Sequence, residues 1–223
     1  MRTPALGRRA AAEAIGTALL LAGVVGSGIM GERLAGGNVA IALLANSIAT
    51  GALLVALIVT FAPVSGAHFN PVVSLAMALG GAFAWRELAV YVVAQVVGAF
   101  AGVACAHLMF VAPLFAASAH ARSGGAQLLS ETVATFGLVS VIESGSRFEA
   151  RSVPVAVGTY IAAAYWFTAS TSFANPAVSL ARAATDTFAG IRPADVPGFV
   201  AAQIAGGVAA VWLWRWLRWE GGR

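Results

Sequence analysis

Asn70-Pro71-Val72-Val73-Ser74-Leu75-Ala76 returns downstream as Asn175-Pro176-Ala177-Val178-Ser179-Leu180-Ala181, with six of seven positions identical. An apolar chain produces chance matches of Val, Ala and Leu easily. It does not so easily repeat an Asn-Pro step with a Ser at the same offset. The pair therefore marks an internal duplication. Proline suits the first turn of a helix, where its missing N–H would have no partner, and Asn suits the cap before it. Each Asn-Pro predicts the start of a helix, and the apolar stretch after each is too short to cross a bilayer.

Working outward, the chain has 223 residues, 60% hydrophobic and 10% charged, and a mean hydropathy of +0.85. Soluble domains carry about 25% charged residues, and a chain of this size cannot hide so much apolar surface in a core. It must meet lipid. Apolar runs at 10–30, 39–61, 88–112, 127–143, 153–170 and 198–217 predict six membrane crossings. Pro63, Ser65 and Gly66 are expected to break the second run. The odd number of crossings between the two Asn-Pro steps makes their short helices approach from opposite sides. The expectation is an all-α membrane protein with six transmembrane helices and two re-entrant half-helices. It forms a single domain over 1–223, with inverted repeats of about 10–110 and 127–217. Glu13 and Glu131 open the first span of each repeat, and Gln95-Val96-Val97-Gly98 matches Gln203-Ile204-Ala205-Gly206. Broken helices in inverted repeats place a binding or conduction site where they meet.

The charge is +4 and every basic residue is Arg. The arginines lie in joints and tails, which argues against nucleic-acid binding. With the N-terminus inside, Arg2, Arg8, Arg9, Arg86, Arg147, Arg151, Arg215, Arg218 and Arg223 fall on the cytoplasmic side. Arg33, Arg122, Arg182 and Arg192 fall outside. Trp212, Trp214, Trp216 and Trp219 then anchor the last span at the inner interface. The one cysteine, Cys105, excludes an intrachain disulfide and reads as a buried small hydrophobe. His107 and His120, placed near the outer end of the third span and its loop, have no partner at metal-ligand spacing. Neither a metal nor a cofactor is expected. No Ser/His/Asp cluster supports an enzyme. Gly98 and Gly102 suit a close helix contact.

Two half-helix N-termini meeting in mid-membrane focus positive potential, which repels cations and protons. Asn70 and Asn175 are then placed to offer amide donors to a passing neutral molecule. These residues, with Gly66-Ala67-His68-Phe69-Asn70-Pro71-Val72, Asn175-Pro176-Ala177, Glu13-Ala14-Ile15-Gly16-Thr17, Glu131 and the paired Gln95 and Gln203, resemble the major intrinsic protein family, the aquaporins and aquaglyceroporins. The resemblance covers nearly the whole chain. It implies a homotetramer with one pore per subunit for small neutral solutes; the expected setting is the bacterial inner membrane, with both termini cytoplasmic as the arginines indicate. It also implies that Glu13 and Glu131 hold the re-entrant loops, which suits the need to satisfy irregular backbone at membrane depth. His68 is placed in the pore lining.

The resemblance has one large departure. Family members usually carry Arg three residues after the second Asn, where this chain has Val178. The other filter positions, carried over by distance, are Thr50, Ala163 and the carbonyl of Ser172. That set predicts a wide, uncharged constriction poor in donors, suited to glycerol-sized solutes or metalloid hydroxides such as arsenite. It is similar to a bacterial subgroup, some members of which are associated with arsenic resistance. Arg182, four residues beyond Val178, is expected either at the pore vestibule or as a residue that caps the C-terminus of its half-helix or pairs with Asp186. The alternatives are a water-selective channel and a gradient-coupled transporter. The latter needs an acidic or Arg coupling site at mid-membrane, and that place holds only Asn70 and Asn175.

Overall fold

Both Asn-Pro steps open helices. The computed structural model describes residues 4–148 and 150–218. Arg2, Glu149, Trp219, Arg223 and the side chain of Arg147 lie outside the described residues. The elements are α1 (Leu6–Leu34), α2 (Val39–Ser65), α3 (Pro71–Leu79), α4 (Trp85–Phe110), α5 (Gly125–Phe148), α6 (Val153–Phe167), α7 (Pro176–Arg182) and α8 (Val196–Leu217). A 3-10 turn at Pro193–Asp195 leads into α8. The short helices α3 and α7 start at the two prolines, with Asn70 and Asn175 as caps.

Among the described residues, five helices are long and apolar enough to cross a membrane, and α6 is shorter. Its 15 residues rise roughly 22 Å, below the ~30 Å of a hydrocarbon core. The expected run 153–170 thus stops at Phe167, because the backbone turns extended at Thr168 to enter the loop before α7. The second span runs on where a break was expected. Pro63 sits inside the last turns of α2, and the helix ends at Gly66, whose φ of 90° is left-handed.

The packing is paired. Helix α1 lies along α4, α5 lies along α8, and α2 meets α6 across the two halves. Small residues set these approaches. A Cβ at Gly98 or Gly102 would stand 2.2 Å from the carbonyl oxygen of Ala14 or Ala18, and one at Gly206 would stand 2.3 Å from that of Thr132. Gly51 and Gly158 face each other in the α2–α6 crossing. With no side chain between them the backbones close to van der Waals contact, which is the main source of helix attraction in lipid. Cys105 is exposed on α4, contrary to expectation. It falls outside the Gly98–Gly102–Ala106 face that packs inward. His107 is buried and pairs through Nε2 with Thr185 Oγ1 at 2.8 Å, tying α4 to the segment after α7.

Candidate functional site

The two loops that precede the caps have one backbone shape. Positive φ occurs at Gly66, Ala67 and Phe69, and again at Thr171, Ser172 and Ala174. Counted back from each Asn, these are the same positions. Left-handed backbone is costly for residues other than Gly, so something must hold it.

Two buried carboxylates do so. Glu13 Oε1 accepts from His68 N at 2.9 Å and from Ser65 Oγ at 2.7 Å. Its Oε2 accepts from Phe69 N at 2.7 Å and from Gln95 Nε2 at 2.8 Å. Glu131 accepts from Phe173 N at 2.9 Å, Ala174 N at 2.8 Å and Gln203 Nε2 at 2.6 Å. Each glutamine also donates to the Ser of its own motif, Gln95 to Ser74 at 2.9 Å and Gln203 to Ser179 at 2.8 Å. Irregular backbone in an apolar surrounding is thus satisfied by protein.

The caps join the halves. Asn70 Oδ1 accepts from Val72 N, and its Nδ2 donates to Ala174 O at 2.7 Å. Asn175 Oδ1 accepts from Ala177 N and Val178 N, and its Nδ2 donates to Phe69 O at 2.8 Å. An amide nitrogen has two hydrogens, so each Asn retains one donor after bonding the opposite loop. Pro71, Val72, Pro176 and Ala177 start the half-helices behind these caps; Val72, Pro176 and Ala177 are buried.

Both asparagines line a cavity of about 260 Å3, far above the roughly 10–15 Å3 that one water needs. Its walls are mainly aliphatic, from residues such as Leu20, Leu54, Ile58, Val73 and Val157. Polar groups enter from Asn70, Asn175, Thr50, Ser172 and His68. His68 Nδ1 lies 3.0 Å from Ser74 Oγ, so this side chain both faces the cavity and ties its loop to α3.

Ala163 does not belong to this lining. It is exposed on the outer side of α6. The residues of α6 that face the cavity are Val153, Val157, Ile161 and Tyr165, spaced four apart along one face. The position facing Thr50 is therefore Tyr165, whose hydroxyl lies 3.2 Å from Thr50 Oγ1. The expected Ala163 faces away because distance along the chain does not fix rotation about the helix.

Arg182 brings a guanidinium to the same cavity. It lines the cavity with Val178 and is only 2% exposed. Its Nε donates to Ala189 O, and its guanidinium carbon lies 3.4 Å from the centroid of the Phe173 ring. It makes no ion pair with Asp186, which instead accepts from Ala119 N. Phe173 is the counterpart of His68, two residues before its Asn. Tyr165 and Phe173 were missed by reading the sequence. The four-residue stripe on α6 and the repeat offset are the signals that point to them.

Comparison with known proteins agrees with this architecture. The family model described as "MIP: Major intrinsic protein" matches residues 1–164. The chain is 60% identical to the aquaglyceroporin AqpS of Rhizobium meliloti over 212 residues, covering 95% of this chain and 91% of that protein. It is 30% identical to the probable aquaporin AqpM of Archaeoglobus fulgidus, covering 98% of this chain and all of that one. The solved aquaglyceroporin of Plasmodium falciparum superposes with a TM-score of 0.74 at 22% identity, covering 95% of each chain. That likeness shows the fold.

Proposed function

The chain belongs to the major intrinsic protein family, a family of channels and not of enzymes, and we propose that its pore passes glycerol-sized neutral solutes and metalloid hydroxides such as arsenite, with water also passing. The observation that carries this reading is the mixed lining of one cavity. An aliphatic wall faces the amide donors of Asn70 and Asn175. A polyhydroxylated solute with a carbon face and an oxygen face matches both sides. Water alone gains nothing from the aliphatic wall. Val178, where family members usually carry a filter arginine, lines the cavity with an aliphatic side chain. Thr50, Tyr165, Ser172, Val178 and Arg182 are the residues assigned to the constriction, and His68 lines the opposite half.

A second reading, a water-selective channel, draws on the Thr50–Tyr165 contact and on the buried Arg182, which both narrow the same end. Stopped-flow light scattering on proteoliposomes separates the two. Gradients of sucrose, glycerol and neutral arsenite are compared on the same vesicles. Fast glycerol and arsenite equilibration supports the first reading; fast water with neither solute supports the second.

The molecule is a multi-pass membrane protein. Large apolar side chains such as Ile48, Val59, Val97 and Trp212 remain on its outside, where lipid or neighbouring subunits of a homotetramer would cover them. The bacterial inner membrane with cytoplasmic termini is the assigned setting. Arg122 and Arg182 are directed into the protein, so the orientation argument rests on the remaining arginines at the α-helix ends and joints.

A further inference from the structure

Arg122 belongs to none of the repeated motifs. It comes from the loop between α4 and α5 and reaches into the second half of the molecule. Its Nε donates to Gly190 O at 2.9 Å and its Nη1 to Ser170 O at 3.2 Å. Its backbone N–H donates to Asp195 Oδ2 at 2.8 Å. Its guanidinium carbon lies 5.0 Å from the centroid of the same Phe173 ring that carries Arg182 at 3.4 Å. Two guanidinium groups therefore share one aromatic ring. That ring is fixed in turn: Glu131 holds its backbone, and Phe199 packs edge-on with centroids 5.3 Å apart. Cations settle on aromatic faces because the ring quadrupole is negative there, and planar guanidinium stacks well.

Neither arginine side chain forms a salt bridge among the described residues. Their bonded partners are backbone carbonyls and, for Arg122, the hydroxyl of Thr171. The positive charge of Arg182 on the cavity wall is thus unpaired. Ser172 lines the same cavity, and its Oγ is buried without a hydrogen-bond partner. A hydroxyl without a partner and a guanidinium without an anion, lining one cavity, can each donate to an oxygen acceptor.

We infer that Arg122 and Phe173 are positioning residues that hold Arg182 against the cavity wall, and that Arg182 with Ser172 makes the α7 end of the pore an oxygen-binding, cation-excluding constriction. The inference rests on the reading of the chain as a channel. The charge that is missing at Val178 is supplied from one helical turn farther along α7. Solutes that present oxygen lone pairs are accepted there, and alkylammonium ions of the same size are refused.

The test is the ratio of methylammonium flux to glycerol flux in proteoliposomes, with water flux recorded on the same vesicles. This ratio does not change when a variant merely lowers the number of folded channels. Arg182→Val is expected to raise it about tenfold or more, the scale on which one sign of charge in a low-dielectric cleft shifts local ion concentration. Arg122→Gln and Phe173→Leu are expected to raise it less, and Arg122→Lys to keep it nearer the wild-type value. Placing the charge one turn back, as Val178→Arg in the Arg182→Val background, is expected to restore exclusion. An unchanged ratio in Arg182→Val overturns the inference. An unchanged ratio in both Arg122→Gln and Phe173→Leu overturns the positioning role. Absence of both water and glycerol flux in the wild type is a different failure and removes the channel reading itself.

Discussion

The loop before Asn70 and the loop before Asn175 have the same backbone and different side chains. Both place left-handed residues at the same offsets, hang on a buried glutamate, and continue through a glutamine to the motif serine. They diverge at what that chain of bonds finally fixes. In the first half, Ser74 reaches the His68 imidazole, which packs edge-on to Phe83 and tilted against Tyr91 with centroids 5.1 and 5.2 Å away. In the second half, Ser179 donates to Asn175 O, and the place of His68 is taken by Phe173 beneath Arg182. The scaffold is duplicated because both loops face one physical problem, unsatisfied backbone at membrane depth. The side chains differ because only one end of the cavity carries the charge.

The largest expected effects test the shared scaffold. Glu13→Ala and Glu131→Ala each strand two buried backbone N–H groups, at roughly 1–3 kcal/mol apiece. Both should lose thermal stability in detergent and lose flux. Glu13→Ala should lose more, because Ser65 Oγ also donates to that carboxylate and Glu131 has no such partner among the described residues. Equal losses would mean that the Ser65 bond contributes nothing.

Gly98→Val and Gly206→Val come next, and they should match each other. Either side chain must displace a helix whose carbonyl already lies within 2.3 Å of the new Cβ, and overpacking of this kind costs about 1–3 kcal/mol or more. The yield of monodisperse protein by size-exclusion chromatography would fall alike in both. A clear difference would break the equivalence of the α1–α4 and α5–α8 pairs.

Tyr165→Ala acts on one half alone. It removes the hydroxyl beside Thr50 and widens the cavity where Arg182 enters. Glycerol flux relative to water should rise about tenfold or more, the scale on which even a methylene-sized change in a pocket discriminates between substrates. The same ratio should stay fixed in Ala163→Val, since that residue faces outward. If Ala163→Val changed the ratio and Tyr165→Ala did not, the assignment of the lining would be reversed.

The smallest expected effect is a pH dependence. Partial burial first, then Arg122 and Arg182, hold the His120 imidazole below its ordinary value, and Asp186 and Glu32 pull weakly the other way. A lowered value keeps His120 neutral at about pH 7 and above. Protonation on the acid side adds positive charge at the mouth near Arg182. The methylammonium-to-glycerol ratio should therefore be flat from about pH 8 to 7 and fall as the medium is acidified. His120→Gln should remove the acid limb and leave the flat portion alone.

The repeated Asn-Pro motif, the apolar runs, the paired glutamates and the paired glutamines were all legible in the sequence. Each is either periodic or repeated, and local chemistry gives each a role: proline starts a helix, Asn caps it, and a carboxylate within an apolar span needs donors. The same logic placed Asn70 and Asn175 together, since a duplicated broken helix has to meet its twin. Rotation and reach were not legible. That Tyr165 and not Ala163 faces Thr50 depends on how α6 turns about its axis against α2, and the Gly51–Gly158 contact sets that turn. That Arg182 chooses Phe173 over Asp186 depends on Asp186 being drawn away to Ala119 N and on Ala189 O standing within reach. That Arg122 joins them depends on a loop crossing to the other half. The sequence alone determined the scaffold because backbone demands recur wherever the motif recurs. The tertiary structure alone decided which side chains line the cavity and bring charge to it, because they lie far apart in the chain and meet only after the helices have packed.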